Sequence, residues 1–296
     1  MTRRLLAATL MALLGSSLAC SKPDSPTAPT TPPPAADGPI FYTAIGASDG
    51  IGFGSSSPCV PFTDCPDGKG YVQILRRQLR EAFPNRTVEH RNLSIPGAVL
   101  SPAIESLARD IGQPISELAG NFIERQAPFV PANTTHVTIF AGGNDANVIA
   151  RAAVAGRGGS DVNAYVDQQV LRWGSDLEDL VARIRSRAPN ARIVALNMIN
   201  LAAAPYVASR PTSEKSILQR IAVGLSDRVN ALTSRNVLVA DLMCDARLYQ
   251  AASYASDGFH PGDIGYQVFA ELTLRPLRDG TATAPNTSCA QRRIFP

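Results

Sequence analysis

Short apolar runs that alternate with helix-period stretches constrain this chain more than any other feature. Phe41 to Ile45 is a compact apolar run followed by a glycine-rich loop. Tyr71, Ile74, Leu75, Gln78, Leu79 and Ala82 then recur at helical spacing, with Gln78 the one polar member. Thr87 to Leu93, His136 to Phe140, Ala191 to Leu196 and Val237 to Asp241 read as further strands. Val166, Val170, Trp173, Leu177, Leu180, Val181 and Ile184 trace a long amphipathic helix that Pro189 stops. Ile217, Ile221, Leu225 and Leu232 support another, and a last helix is expected from an N-cap at Asp263 to Leu274. This alternation predicts a parallel sheet covered on both faces, a three-layer α/β/α domain with five strands over residues 39–280. In open parallel sheets ligands bind beyond the carboxyl ends of the strands, so chemistry is expected just after residues 45, 93, 140, 196 and 241. The long connections 101–135 and 146–164 can line a pocket there, and Leu201 to Val207 offers an apolar wall.

The N-terminus reads as an address. Arg3 and Arg4 precede an apolar run of about ten residues, Leu5 to Leu14, and a small-residue exit ending in Ala19 and Cys20; a bilayer-spanning helix needs about 20 apolar residues, so this is an export signal. The Cys after Ala19 resembles a bacterial lipoprotein signal, although Ser17 takes the place of that signal's usual Leu and Leu18 lies one position closer to the Cys. The resemblance implies that Cys20 is lipidated and becomes the first mature residue, a membrane anchor on the cell envelope at the periplasmic or outer-membrane face. Residues 21–38 are rich in proline and form an extended tether, with no capacity to build a core. The formal net charge of +3 rests partly on Arg3 and Arg4, whose removal leaves 26 basic against 25 acidic residues. No clustered basic excess points to a nucleic-acid partner.

Cys59, Cys65, Cys244 and Cys289 remain, an even number in an exported chain, which suggests two disulfides. Proximity favours Cys59–Cys65, and Cys244–Cys289 would then pin a C-terminal tail, residues 281–296, to the body. Four cysteines allow three pairings. No Cys-x-x-Cys or paired-His spacing supports zinc, and no metal is expected.

Four segments sit where the sheet rule points. Gly46-Ala47-Ser48-Asp49-Gly50 follows the first strand and would expose the Ser48 hydroxyl at a sharp turn. Asn92 to Gly97 follows the second, and Gly97 can turn its N–H into the crevice. Gly142-Gly143-Asn144-Asp145 follows the third; Asn144 offers an amide donor, whereas Asp145, as an acceptor-only carboxylate, is assigned to structure. Asp257-Gly258-Phe259-His260-Pro261 is the most informative. A carboxylate three residues before a His can bond the near ring nitrogen, fix the tautomer and leave the far nitrogen for a nucleophile. The other two histidines, His90 and His136, lie in strands and are expected to pack.

Together these segments resemble the SGNH, or GDSL-like, hydrolase family from Phe41 to about Leu274. Ser48, Gly97, Asn144 and His260 take the family's four block positions, Asp257 takes its triad acid, and Gly265-Tyr266 is also similar. The resemblance implies a flavodoxin-like sheet, the SGNH hydrolase fold, and a serine esterase acting on short-chain acyl or acetyl esters. Ser48, Asp257 and His260 would be catalytic, and Ser48, Gly97 and Asn144 would form an oxyanion hole, with no cofactor. Substrates would be small-molecule, lipid or glycan esters, with lysophospholipid and sugar acetyl esters as candidates, and the protein a monomer. One departure is visible: Ala47 stands where the family has Asp, which supports the nucleophile loop, and Asp49 is a candidate to do part of that work.

Two other readings compete. Gly50-Ile51-Gly52-Phe53-Gly54 superficially suggests a dinucleotide loop, but a helix should open at those glycines; Pro58 and the Cys59–Cys65 segment intervene. A non-catalytic, tethered glycan-binding module on a hydrolase-like fold is the second, and the complete set of Ser48, Asp257 and His260 argues against it.

Overall fold

A computed structural model describes residues 37–296; the expected export signal, Cys20 and almost all of the expected tether lie outside the described residues. Five strands form one parallel sheet: β1 (Ile40–Ile45), β2 (Val88–Asn92), β3 (His136–Phe140), β4 (Arg192–Leu196) and β5 (Leu238–Ala240), in the order β2-β1-β3-β4-β5. This is the flavodoxin-like order, and it fits the fold that the sequence predicts. Every residue of the central strand β3 is buried, whereas in the edge strand β2 only Val88 is buried and the other four are exposed or half-buried. That difference is what a parallel sheet covered on both faces requires of its centre and its rim.

The helices are α1 (Tyr71–Ala82), α2 (Pro102–Asp110), α3 (Phe122–Arg125), α4 (Gly143–Ala152), α5 (Val162–Arg187), α6 (Thr212–Ala231) and α7 (Asp263–Asp279). On one face α1 and α7 pack together, burying Tyr71, Leu75 and Leu79 against Tyr266 and Phe269. On the other, α5 and α6 pack on each other, with Trp173 fully buried between α5 and the core. Asp161 caps α5 by accepting from the Ala164 N–H at 2.9 Å.

The connection 101–135 contains α2 and α3, and 146–164 continues α4; both were expected as plain connections. The short α2 and α3 lack the length that makes periodicity legible. The last helix also extends beyond Leu274 to Asp279, because Pro276 and Leu277 are buried in its final turn and Gly280 ends it at a φ of 73°.

Cys244 and Cys289 form a disulfide, which closes a long loop and on the chain-entropy view stabilises by roughly 4 kcal/mol. The tail is also held by α6, where Gln219 Oε1 accepts from the Ile294 and Phe295 N–H groups at 2.8 and 3.0 Å. Cys59 and Cys65, expected to pair, are instead free thiols. Burial and the hydrogen bond with the neighbouring Cys65 thiol push the Cys59 thiol up to about 12. No helix among the described residues is long and apolar enough to cross a membrane.

Candidate active site

The order of the strands reverses between β1 and β3, and the loops that leave their carboxyl ends there diverge around a crevice. From β1 the chain passes through Gly46 and Ala47 into a tight turn, Ser48–Ile51, closed by the Gly50 N–H to the Ala47 carbonyl at 3.1 Å and the Gly52 N–H to the Asp49 carbonyl at 3.0 Å. Ser48 opens that turn, and its hydroxyl meets His260 Nε2 at 2.9 Å. On the other side of the ring His260 Nδ1 lies 2.6 Å from Asp257 Oδ2. An ionised carboxylate only accepts, so Nδ1 carries the proton and Nε2 presents its lone pair to the Ser48 hydroxyl.

The turn 257–260 builds this geometry locally. Asp257 Oδ1 accepts from the backbone N–H groups of Phe259 and His260 at 2.9 and 3.0 Å, and Gly258 takes a φ of 67° that a side chain would strain. Burial raises the Asp257 carboxyl, but the His260 ring and the two N–H groups outweigh it and hold it below its ordinary value. The Ala255 N–H to the His260 carbonyl at 2.8 Å and the Gly262 N–H to the Ser253 carbonyl at 2.9 Å clamp the base of the turn. Phe53 and Phe259 contact the imidazole with ring centroids 4.7 and 4.8 Å away. Tyr266, noted in the sequence, donates its hydroxyl to the Phe53 carbonyl at 2.6 Å and so holds the loop that carries one of these rings.

Gly97 has a φ of 80°, while a Cβ there would meet only Ala119 at an ordinary 3.7 Å; conformation, more than space, asks for glycine. Asn144, in the first turn of α4, donates one amide hydrogen to the Ala98 carbonyl at 2.9 Å, which orients its side chain beside Gly97. Asp145 is structural, as expected: buried, its Oδ1 accepts from the Leu100 N–H at 2.8 Å. Burial lifts its carboxyl to about 6. The segment 97–100 is thus registered against the start of α4 by two adjacent side chains.

Residues 44–268 match the model of the GDSL-like Lipase/Acylhydrolase family. The chain belongs to this family. No curated protein matches it. Among solved structures, the GDSL-family chain is similar to a lipase from a goat rumen metagenome (16% identity, TM-score 0.55, covering 84% of this chain and 100% of that one). It is also similar to an acetyl xylan esterase from Geobacillus stearothermophilus (17%, 0.52, 81% and 96%) and an extracellular lipase from Streptomyces rimosus (18%, 0.50, 79% and 98%). At these identities the likeness shows the fold.

Other residues of this GDSL-family hydrolase fall as follows. Gly50 to Gly54 lie in a single 3-10 turn and the loop after it, with no α-helix opening until Tyr71, so the dinucleotide reading has no support. His136 is buried and His90 half-buried, both in strands, and desolvation lowers them to about 3 and about 4. Among the described residues no group of three or more His, Cys, Asp or Glu is placed to hold a metal ion. Asp49 lies near the Tyr266 hydroxyl and is raised by burial. The loop is held by other groups: Asn92 Nδ2 donates to the Gly50 carbonyl at 2.7 Å, and Gln126 bonds Gly46. Neither partner was legible, because each lies in a distant segment with no local motif.

Two small cavities flank Phe259. One, of about 10 Å³, is bounded by Ala47, Ala98, Phe122 and Asn144; the other, of about 30 Å³, by Met198, Leu201 and Pro261. Leu201 thus supplies part of the apolar wall expected after β4, while Val207 is buried in the core.

Because the Asp145 carboxyl titrates higher in the fold than in the unfolded chain, the native state binds its proton more tightly. Its contribution to stability is greatest below about pH 4 and falls as pH rises through about 6. Asp145→Asn keeps an acceptor for Leu100 and cannot ionise. Urea unfolding at about pH 4 and about pH 7 should show the native protein losing a few kcal/mol relative to this variant; parallel pH dependences would contradict the assignment.

Proposed function

We propose that this protein is an exported serine esterase that hydrolyses short-chain carboxylic esters. The observation that carries the reading is the unbroken line from Ser48 Oγ through His260 to Asp257, with separations of 2.9 and 2.6 Å. Ser48 Oγ attacks the ester carbonyl while His260 Nε2 takes its proton, and the C=O electron pair moves onto oxygen. Collapse expels the alcohol, which leaves with the proton from His260, and an acyl-Ser48 ester remains. Water, deprotonated by His260, then releases the acid and restores Ser48. Asp257 keeps its charge throughout and stabilises the imidazolium. The N–H groups of Ser48 and Gly97 and the free amide hydrogen of Asn144 receive the oxyanion.

Ser48→Ala should abolish turnover of p-nitrophenyl acetate. Asn144→Ala should lower kcat by about 100- to 1000-fold, the loss of one oxyanion donor. Native-like hydrolysis by purified Ser48→Ala would sink the reading, and with it the preference over a binding module.

The cavity beside Asn144 is only about 10 Å³, which favours a small acyl group, and Phe259 lines both it and the adjoining apolar cavity. In a series of p-nitrophenyl esters kcat/KM should be highest for acetyl to butyryl and fall at octanoyl. Phe259→Ala should join the cavities and move the optimum to longer chains. A native optimum at octanoyl or beyond would rule out the short-chain assignment.

The reading extends to the N-terminus. Export, acylation of Cys20 and a proline-rich tether over residues 21–38 would hold a monomeric hydrolase on the cell envelope. Two acyl chains anchor firmly at about 0.8 kcal/mol per buried methylene. Fractionation of bacteria expressing the full chain should find it in membranes and the Cys20→Ala variant in the soluble fraction; identical partitioning would remove the anchor from the account.

A further inference from the structure

We infer that Gln126 is a positioning residue for the nucleophile, clamping the peptide groups of Gly46 and tying the Ser48 turn to the segment that carries the oxyanion donors. This rests on the esterase reading for its kinetic consequence but on geometry for its existence. Gln126 is fully buried. Its side-chain amide faces the backbone of Gly46 and makes two bonds with it: Oε1 accepts from the Gly46 N–H at 3.0 Å, and Nε2 donates to the Gly46 carbonyl at 2.8 Å. The pair imitates a further strand residue placed just past the end of β1, where the Gly46 carbonyl also accepts from the Ile95 N–H at 3.3 Å while its N–H is held by Gln126. Gly46 stands two residues before Ser48, so a clamp there fixes the launch of the turn from which the hydroxyl projects.

The other end of the clamp is equally fixed. Gln126 closes α3, its N–H reaching the Phe122 carbonyl at 3.1 Å. The start of α3 is bonded to the oxyanion segment: the Phe122 N–H to the Val99 carbonyl at 2.9 Å, the Ile123 N–H to the Leu100 carbonyl at 3.3 Å and the Val99 N–H to the Gly120 carbonyl at 3.2 Å. Asn121 caps α3 by accepting from the Glu124 N–H at 2.9 Å. Leu100 is in turn held by Asp145, next to Asn144. A short chain of hydrogen bonds therefore runs from Gly46 through Gln126 and α3 to residues 97–100 and to Asn144. It sets the nucleophile's distance from the groups that must receive the oxyanion. Ala47 leaves this loop without the acidic side chain at that position, and Gln126 reaches it from another element.

The test compares Gln126→Leu, Gln126→Asn and Gln126→Glu with the native full chain, assayed on p-nitrophenyl acetate well below each melting midpoint. Gln126→Leu keeps bulk and removes both bonds; kcat should fall by about 100-fold, the cost of a misplacement on the order of 1 Å, with KM within about twofold. Should it fail to fold, Gln126→Asn, which keeps the amide but is too short to span both groups of Gly46, is expected to show the same split. Gln126→Glu separates positioning from packing. As a neutral acid it can accept from the N–H and donate to the carbonyl of Gly46, and as a carboxylate it can only accept. Its kcat should approach the native value on the acid side and then fall with rising pH, a limb absent from the native profile. Hydrogen exchange supplies a readout independent of activity: the Gly46 amide should exchange faster in Gln126→Leu. Native kcat in the Leu and Asn variants, or unchanged exchange at Gly46, would overturn the inference. An inactive native protein would instead defeat the esterase reading, leaving the clamp to stand or fall on exchange.

Discussion

Everything at this site depends on five parallel strands ending along one edge. Parallel pairing makes every strand deliver its outgoing loop to the same rim, and the reversal of strand order between β1 and β3 parts two of those loops. Ser48 and His260 are separated by 212 residues and meet there at hydrogen-bond distance. The imidazole then has one carboxylate on one nitrogen and one hydroxyl on the other, with aromatic rings against it.

The rim combines buried polar groups, Asp145 and Gln126, with the half-buried Asn144 and the exposed Asp257, and hydrogen bonds fix each of these four. Asp257 spends three hydrogen bonds on its own turn and on His260. Asn144 and Asp145 hold neighbouring peptides of the segment 97–100. Gln126 holds both peptide groups of Gly46. An unpaired buried polar group costs about 1–3 kcal/mol, so each pairing also penalises other loop conformations. The arrangement is organised before any substrate arrives, as electrostatic stabilisation of a developing charge requires.

What was legible in the sequence follows the range of the interactions. The continuous apolar run Ile193 to Leu196 of β4 and the helix-period positions of α5 announce themselves because the residues that matter are neighbours. The Asp257–His260 pair is legible for the same reason, three positions apart across a turn. That Ser48 completes it could be read only from resemblance to a family. The sequence predicts only connection over the short helices α2 and α3, since nine and four residues carry too little periodicity. Gln126 could not be found at all: it acts across 80 residues of sequence, with an ordinary amide and no motif around it. Asp49, beside the nucleophile in sequence, is a candidate for part of the loop's support and lies against the Tyr266 hydroxyl, while Gln126 and Asn92 add hydrogen bonds from distant segments. The Cys59–Cys65 expectation rests on an even cysteine count and on proximity, and neither fixes the geometry of a bond; the two are free thiols.

The central claim is that Ser48 is a nucleophile made reactive by His260. Reaction of the native protein with a fluorophosphonate, followed by mass spectrometry of its peptides, tests this most directly. The account requires one phosphonyl group per chain, located on Ser48, with a rate that collapses when His260 is replaced by Ala. An unmodified Ser48, or an adduct that forms at the same rate without the imidazole, would contradict it.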